Sequence, residues 1–228
     1  MAYLIQNLGH VHRQQGRLAE AEADQRAALA LRRKVLGEEH PDVTASLNHL
    51  GVVLWESGKL DEAKTVLEEA VTKRRKLLGA DDLEVATIEA NLARVLCDQS
   101  RWAEAEPWAR ESLAIRQAKL PDDWRTFNSR SLLGAAMLGQ KKYAEAEPLL
   151  LAGYQGMAER RERIPPDSMA RLKEAGQRLA QLYEATGRPE QAVEWKKRLA
   201  GSGLLQPRTN PPPPPVNPGK TNTAGRAP

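Results

Sequence analysis

Between residues 47 and 63 the chain reads Leu47-Asn48-His49-Leu50-Gly51-Val52-Val53-Leu54-Trp55-Glu56-Ser57-Gly58-Lys59-Leu60-Asp61-Glu62-Ala63. Leu50, Val53 and Leu54 recur at i, i+3 and i+4, the spacing of one helix face. Gly58-Lys59 interrupts that pattern, and a second series, Ala63-Val66-Leu67-Ala70-Val71, resumes the same period. The stretch is therefore two amphipathic helices around a short turn. Gly51 and Ala63 are small so that the two backbones can approach, and a larger side chain at either would overpack at a cost of roughly 1–3 kcal/mol.

Outward from this hairpin the same unit recurs. Leu8-Gly9, Leu50-Gly51, Leu92-Ala93, Leu133-Gly134 and Leu179-Ala180 follow one another at spacings of 42, 42, 41 and 46. Twelve residues after each small residue stands Ala21, Ala63, Ala105, Ala146 or Ala192. The turns align as Gly16-Arg17, Gly58-Lys59, Ser100-Arg101, Lys141-Lys142 and Gly187-Arg188. Gly37 and Gly79 suit the positive-φ residue that ends a helix, and the acids after them suit the start of the next. The longer fourth junction holds Pro165-Pro166, which stop one helix, and Asp167, expected to cap the next. A period in this range implies a solenoid. The expected fold is all-α, a right-handed superhelical array of five helical hairpins over 1–200, with units at about 2–37, 42–79, 84–120, 126–161 and 167–200.

The repeats resemble the long tetratricopeptide repeats of kinesin light chains. Ile5-Gln6-Asn7-Leu8-Gly9, Leu47-Asn48-His49-Leu50-Gly51, Ala103-Glu104-Ala105-Glu106-Pro107 and Ala144-Glu145-Ala146-Glu147-Pro148 carry the likeness. Pro121-Asp122-Asp123-Trp124-Arg125-Thr126-Phe127-Asn128, Leu149 to Tyr154 and Ile164-Pro165-Pro166 further resemble the repeat region that follows the kinase domain in bacterial serine/threonine protein kinases. The resemblance implies a non-catalytic scaffold that binds a protein or peptide partner. Its alternative implication is the regulatory or substrate-recruiting part of a kinase whose catalytic domain is absent from this chain.

Composition agrees with a helical array. The 228 residues include 33 Ala, 30 Leu and one Phe, and only 4% are aromatic, which excludes a β-rich core. The net charge of +4 hints at nucleic acid until it is located. Residues 201–228 hold eight of the 15 prolines, no acid, and Arg208, Lys220 and Arg226, so the repeats themselves balance 31 bases against 30 acids. That near-neutrality argues against a nucleic-acid partner. The tail's composition predicts disorder with polyproline II character. No window is apolar enough for a membrane span, no signal peptide precedes the first helix, and the lone Cys97 fits a reducing, cytoplasmic setting.

No phosphate loop, nucleophile elbow, zinc motif or kinase catalytic loop occurs, so no enzyme and no cofactor or metal is expected. Cys97 beside Asp98 lacks an activating neighbour, and His10 and His12 point apart on a helix. The basic runs near Arg32, Lys73 and Lys196 fall in last helical turns, where cations complement the dipole. Stacked hairpins offer a concave groove made by the first helix of each unit. The groove positions, transferred unit by unit from the resemblance, are Gln6, His10 and Arg13; Asn48, Val52, Trp55 and Glu56; Thr87, Arg94 and Asp98; Asn128 and Ser131; and Glu174, Gln177 and Gln181. Trp55 is the expected anchor, with amide and guanidinium donors for a peptide backbone. Asn7 and Asn91 are expected to brace neighbouring repeats. Uncapped Ala2 and the apolar Tyr3, Leu4, Ile5 and Leu8 suggest either a piece of a larger repeat protein or end-to-end self-association.

Overall fold

The computed structural model describes residues 1–201. Ten α-helices are paired as α1 (Ala2–Gln14) with α2 (Leu18–Leu36), α3 (Pro41–Glu56) with α4 (Leu60–Leu78), α5 (Leu83–Asp98) with α6 (Trp102–Lys119), α7 (Trp124–Gly139) with α8 (Tyr143–Glu159), and α9 (Ala170–Ala185) with α10 (Pro189–Gly201). No strand occurs among the described residues. The Pro-rich tail from residue 202 onward lies outside them.

Each hairpin turn is built by one device. The backbone N–H groups of Arg17, Lys59, Arg101, Lys142 and Arg188 donate to the carbonyls of His12, Leu54, Leu96, Met137 and Tyr183, at 2.8–2.9 Å. This six-to-one bond requires a positive φ at the residue before the donor. Gly16, Gly58 and Gly187 supply it without strain, whereas Ser100 and Lys141 hold φ of 58° and 61° with side chains attached. Between units, His40, Asp82 and Asp123 cap α3, α5 and α7 by accepting a backbone N–H two residues on. Asp167 does not cap α9 as its sequence position suggests. It sits in a single 3₁₀ turn, Pro166–Ser168, and α9 starts three residues later with no side-chain cap.

The small landmarks lie where helices touch. Ala21, Ala63, Ala105 and Ala146 are fully buried. A Cβ on Gly51 would stand 2.6 Å from the Leu67 side chain, and one on Gly134 would stand 2.8 Å from Leu150. The apolar core falls into two clusters, one from Leu29 to Ala136 and another from Ala90 to Trp195, which overlap in sequence across α5–α7. Tyr154 and Trp195 finish it edge to face, with centroids 4.7 Å apart.

Polar contacts repeat with the array. On the first helices, Arg13–Glu56, Asn91–Asn48 and Trp55–Asp98 each join residues 43 apart, one more than the 42-residue period. On the second helices, Arg26–Glu62, Arg33–Glu69 and Arg75–Glu111 each join residues 36 apart. Arg33 and Arg75, in the basic runs that end α2 and α4, are therefore staples between adjacent units as well as partners of the helix dipole.

Candidate functional site: the concave face

Trp55, near the end of α3, is the hub of the concave face. Its indole N–H donates to Asp98 Oδ2 at 2.6 Å, and the guanidinium groups of Arg94 and Arg171 lie over its ring, 5.3 and 5.0 Å from the centroid. Asp98 and Arg94 come from α5, while Arg171 comes from α9, in the last unit. The array thus curves enough for its last unit to reach its second.

The curvature closes further at α1. Arg13 donates to Glu56 at 2.7 Å and to Asp167 at 3.3 Å, a contact spanning 154 residues. Deeper in α9, Arg171 pairs with Glu174 at 3.1 Å, and Arg178 donates to the Ser131 hydroxyl at 3.1 Å. Burial lowers the Arg171 pKa, with Glu174 and Glu56 opposing.

Two cavities open on this face. The first, about 380 Å³, is lined by Gln6, His10, Arg13, His49, Val52 and Asp167 among others, and Arg171 forms part of its wall. The second, about 470 Å³, is lined by Asp98, Trp102, Tyr143, Gln177, Arg178 and Gln181 among others. Trp55 lies between them, since Arg171 borders the first and its partner Asp98 the second.

Of the residues expected at the groove, Gln6, His10, Arg13 and Val52 meet in the first cavity and Asp98, Glu174, Gln177 and Gln181 in the second. Others serve the framework or lie deep. Asn48 is buried and accepts from the Asn91 amide at 2.9 Å, so it belongs to the asparagine brace. Thr87 donates to the Leu83 carbonyl and accepts from Arg116, which commits its hydroxyl to packing against α6. Asn128 is buried, and its side-chain carbonyl has no partner among the described residues. Arg94 is 3% exposed, and its Nε and Nη1 are also unpartnered there.

Sequence reasoning passed over His49, Asp167, Arg171 and Arg178. Arg171, Glu174, Arg178 and Gln181 fall at i, i+3, i+7 and i+10, so the face is present in the spacing of α9. His12 packs against Asp24 at 2.7 Å, whereas His10 faces the first cavity. Burial pushes the Cys97 thiol up to about 12, away from the thiolate form that a nucleophile needs. Among the described residues no cluster of His, Cys, Asp and Glu is placed to hold a metal, and no helix is long and apolar enough to cross a membrane.

A solenoid of helix pairs with a positive-φ turn, a small-residue contact and a concave first-helix face defines the class of helical-repeat scaffolds. The chain belongs to the tetratricopeptide repeat family, which it matches over residues 1–76 and 84–158, and again over 178–195. Solved structures share the fold. The nearly identical TPR-like repeats of a kinesin light chain of Podosopora anserina align at 23% identity over 90% of this chain and 96% of theirs, with a TM-score of 0.68. BtubC (BKLC) from P. vanneervenii aligns at 20% identity over 95% of this chain and 86% of that one, TM-score 0.68. MamA, from residue 41 onward, of Desulfovibrio magneticus RS-1 aligns at 18% identity over 90% and 96%, TM-score 0.57. No curated protein matches the chain by sequence.

Proposed function

We propose that the array is a non-catalytic scaffold that holds an extended segment of a partner protein in its concave groove, beside Trp55. The observation that carries this reading is the pair of cavities that open on the concave face to either side of Trp55, one walled by Gln6, His10 and Arg13 and the other by Gln177 and Gln181. The exposed amides of Gln177 and Gln181 offer both acceptors and donors, the complement of an extended backbone. The cavities on either side of Trp55 supply room for side chains.

The test is binding of the protein to an immobilised array of random peptides, beside a Gln6→Ala/His10→Ala pair and a Gln177→Ala/Gln181→Ala pair. Loss of most bound spots in both variants, with unchanged circular dichroism, supports the groove. An unchanged set of spots contradicts it.

The likeness of 121–128, 149–154 and 164–166 to kinase-associated repeats favours a narrower second reading, in which the segment recruited is a kinase substrate. Genomic sequence upstream of Met1 tests it: continuation into kinase motifs supports that reading, and its lack removes the reason for it. The lone, buried Cys97 suits a reducing, cytoplasmic compartment for either reading.

A further inference from the structure

The second concave cavity differs from the first in what walls it. Trp102 and Tyr143 both line it, at the first position of α6 and of α8, three residues before Ala105 and Ala146. The other three units carry Leu18, Leu60 and Pro189 at that place, so the aromatic residues of the series fall in the two neighbouring units that meet at this cavity. A Cβ on Gly139 would fall inside the Trp102 ring, so a residue without a side chain is what lets the indole lie against α7. Leu138 adds to the apolar wall, and Gln177 and Gln181, one turn apart and exposed on α9, add amides. Among the described residues no Trp, Tyr or Phe lines the first cavity, whose wall holds Arg13 and Arg171.

Aromatic rings beside amide donors are the complement of a proline run. Such a run offers ring faces and backbone carbonyls with no N–H to satisfy, and aromatic-lined grooves recognise it. This chain carries one: Pro207-Arg208-Thr209-Asn210-Pro211-Pro212-Pro213-Pro214-Pro215. Its one cation and lack of acid suit the exposed Asp98 of the second cavity and not the two guanidinium groups of the first. Lys141 and Arg178 also line the second cavity, but Arg178 is held by Glu174 and by the Ser131 hydroxyl.

The proline run is also within reach. Leu199 packs against Gly176, the neighbour of Gln177, so the end of α10 lies against another face of α9 from the cavity, about one helix diameter or roughly 10–12 Å away. The described residues end at Gly201, and the ten residues from there to Pro211 span up to about 33 Å when extended. Tethering on one chain sets an effective concentration on the order of millimolar, enough to fill a weak site.

We propose that the second cavity is a proline-recognition subsite whose occupant is residues 207–215 of the same chain. The inference rests on the concave face being a binding groove and adds its regulation: a partner segment displaces the chain's own proline run in order to bind.

Fluorine NMR of the full chain carrying 5-fluorotryptophan, with Trp102 assigned through Trp102→Phe, tests this. The variant Pro211→Ser/Pro212→Ser/Pro213→Ser/Pro214→Ser/Pro215→Ser leaves the repeats untouched. It is expected to shift the Trp102 resonance while those of Trp108, Trp124 and Trp195 stay in place. A synthetic peptide of residues 205–217 is expected to return that resonance toward its wild-type position, and to need at least about tenfold higher concentration to bind the wild type, where the tethered run competes. Superposed spectra of the wild type and the serine variant overturn the proposal. A Trp102 shift that fades on dilution overturns it too, because the proline run then comes from a second copy. On the peptide array the serine variant is expected to bind more spots than the wild type, and equal sets of spots overturn the competition. An array blank for both proteins contradicts groove binding of a partner, whereas the Trp102 shift reads the chain's own segment alone, so the two failures are distinguishable.

Discussion

Arg13 on α1 and Asp167 in the turn before α9 meet at 3.3 Å although 154 residues separate them. The same guanidinium holds Glu56 at 2.7 Å, so one side chain ties the first, second and fifth units together across the mouth of the groove. Asp167→Asn is expected to loosen this latch. The ion pair is partly exposed and its loss should cost no more than about 1 kcal/mol, so the main effect is on shape. Small-angle scattering should give a larger radius of gyration for the variant at nearly the same melting temperature. An unchanged radius would mean that packing alone sets the curvature.

The pH dependence of stability follows from Glu89. Burial pushes its carboxyl up to about 7 although Arg75 donates to it at 2.6 Å. The folded state therefore holds the proton more tightly than the unfolded state does, where the ordinary value is 4.5. This contribution is full below about pH 4.5 and lost as pH rises toward 7, and it amounts to at most about 3 kcal/mol. Glu106 acts oppositely, because hydrogen bonds from Lys142, Arg110 and Gln140 hold it down at about 2, so its stabilisation is lost as pH falls from 4.5 toward 2. The melting temperature should be higher near pH 5.5 than near pH 8, and Glu89→Gln should flatten that alkaline decline. A wild-type curve level between those values would contradict the assignment.

Ser100 and Lys141 occupy left-handed turn positions that three sister turns fill with glycine. Replacing either with glycine is expected to stabilise the protein by about 0.5–1 kcal/mol, read as a raised urea midpoint. The converse change, Gly58→Ala, should lower the midpoint by a similar amount.

Gly156 in α8 lies against Phe127, and a Cβ there would fall inside the ring, which the Arg160 guanidinium already covers at 4.4 Å. Gly156→Ala should therefore destabilise by about 2–3 kcal/mol. A melting temperature within a degree of wild type would show that Phe127 is free to move aside.

The hairpins are legible in the sequence because each rests on local rules: the 3.6-residue period, a turn residue, and a small residue where helices touch. Trp55 and Arg94 are legible as first-helix positions on the concave side for the same reason. Their partner Arg171 and the Arg13–Asp167 latch are not, since the rotation per unit accumulates over the array and no spacing in the sequence encodes its sum. Asp167 reads as a helix cap, yet the double proline before it forms a separate 3₁₀ turn that aims its carboxylate across the groove. Asn48 and Thr87 share the groove register but are engaged by the Asn91 amide and by Arg116, contacts that only packing reveals.

The groove is tested most directly by calorimetric titration of the tightest peptide from the array into wild-type protein and into the Gln177→Ala/Gln181→Ala pair. The account predicts at least about a tenfold weaker dissociation constant for the variant, the loss of two amide contacts to the peptide backbone, with its melting temperature unchanged. Equal affinity for the two proteins would contradict it.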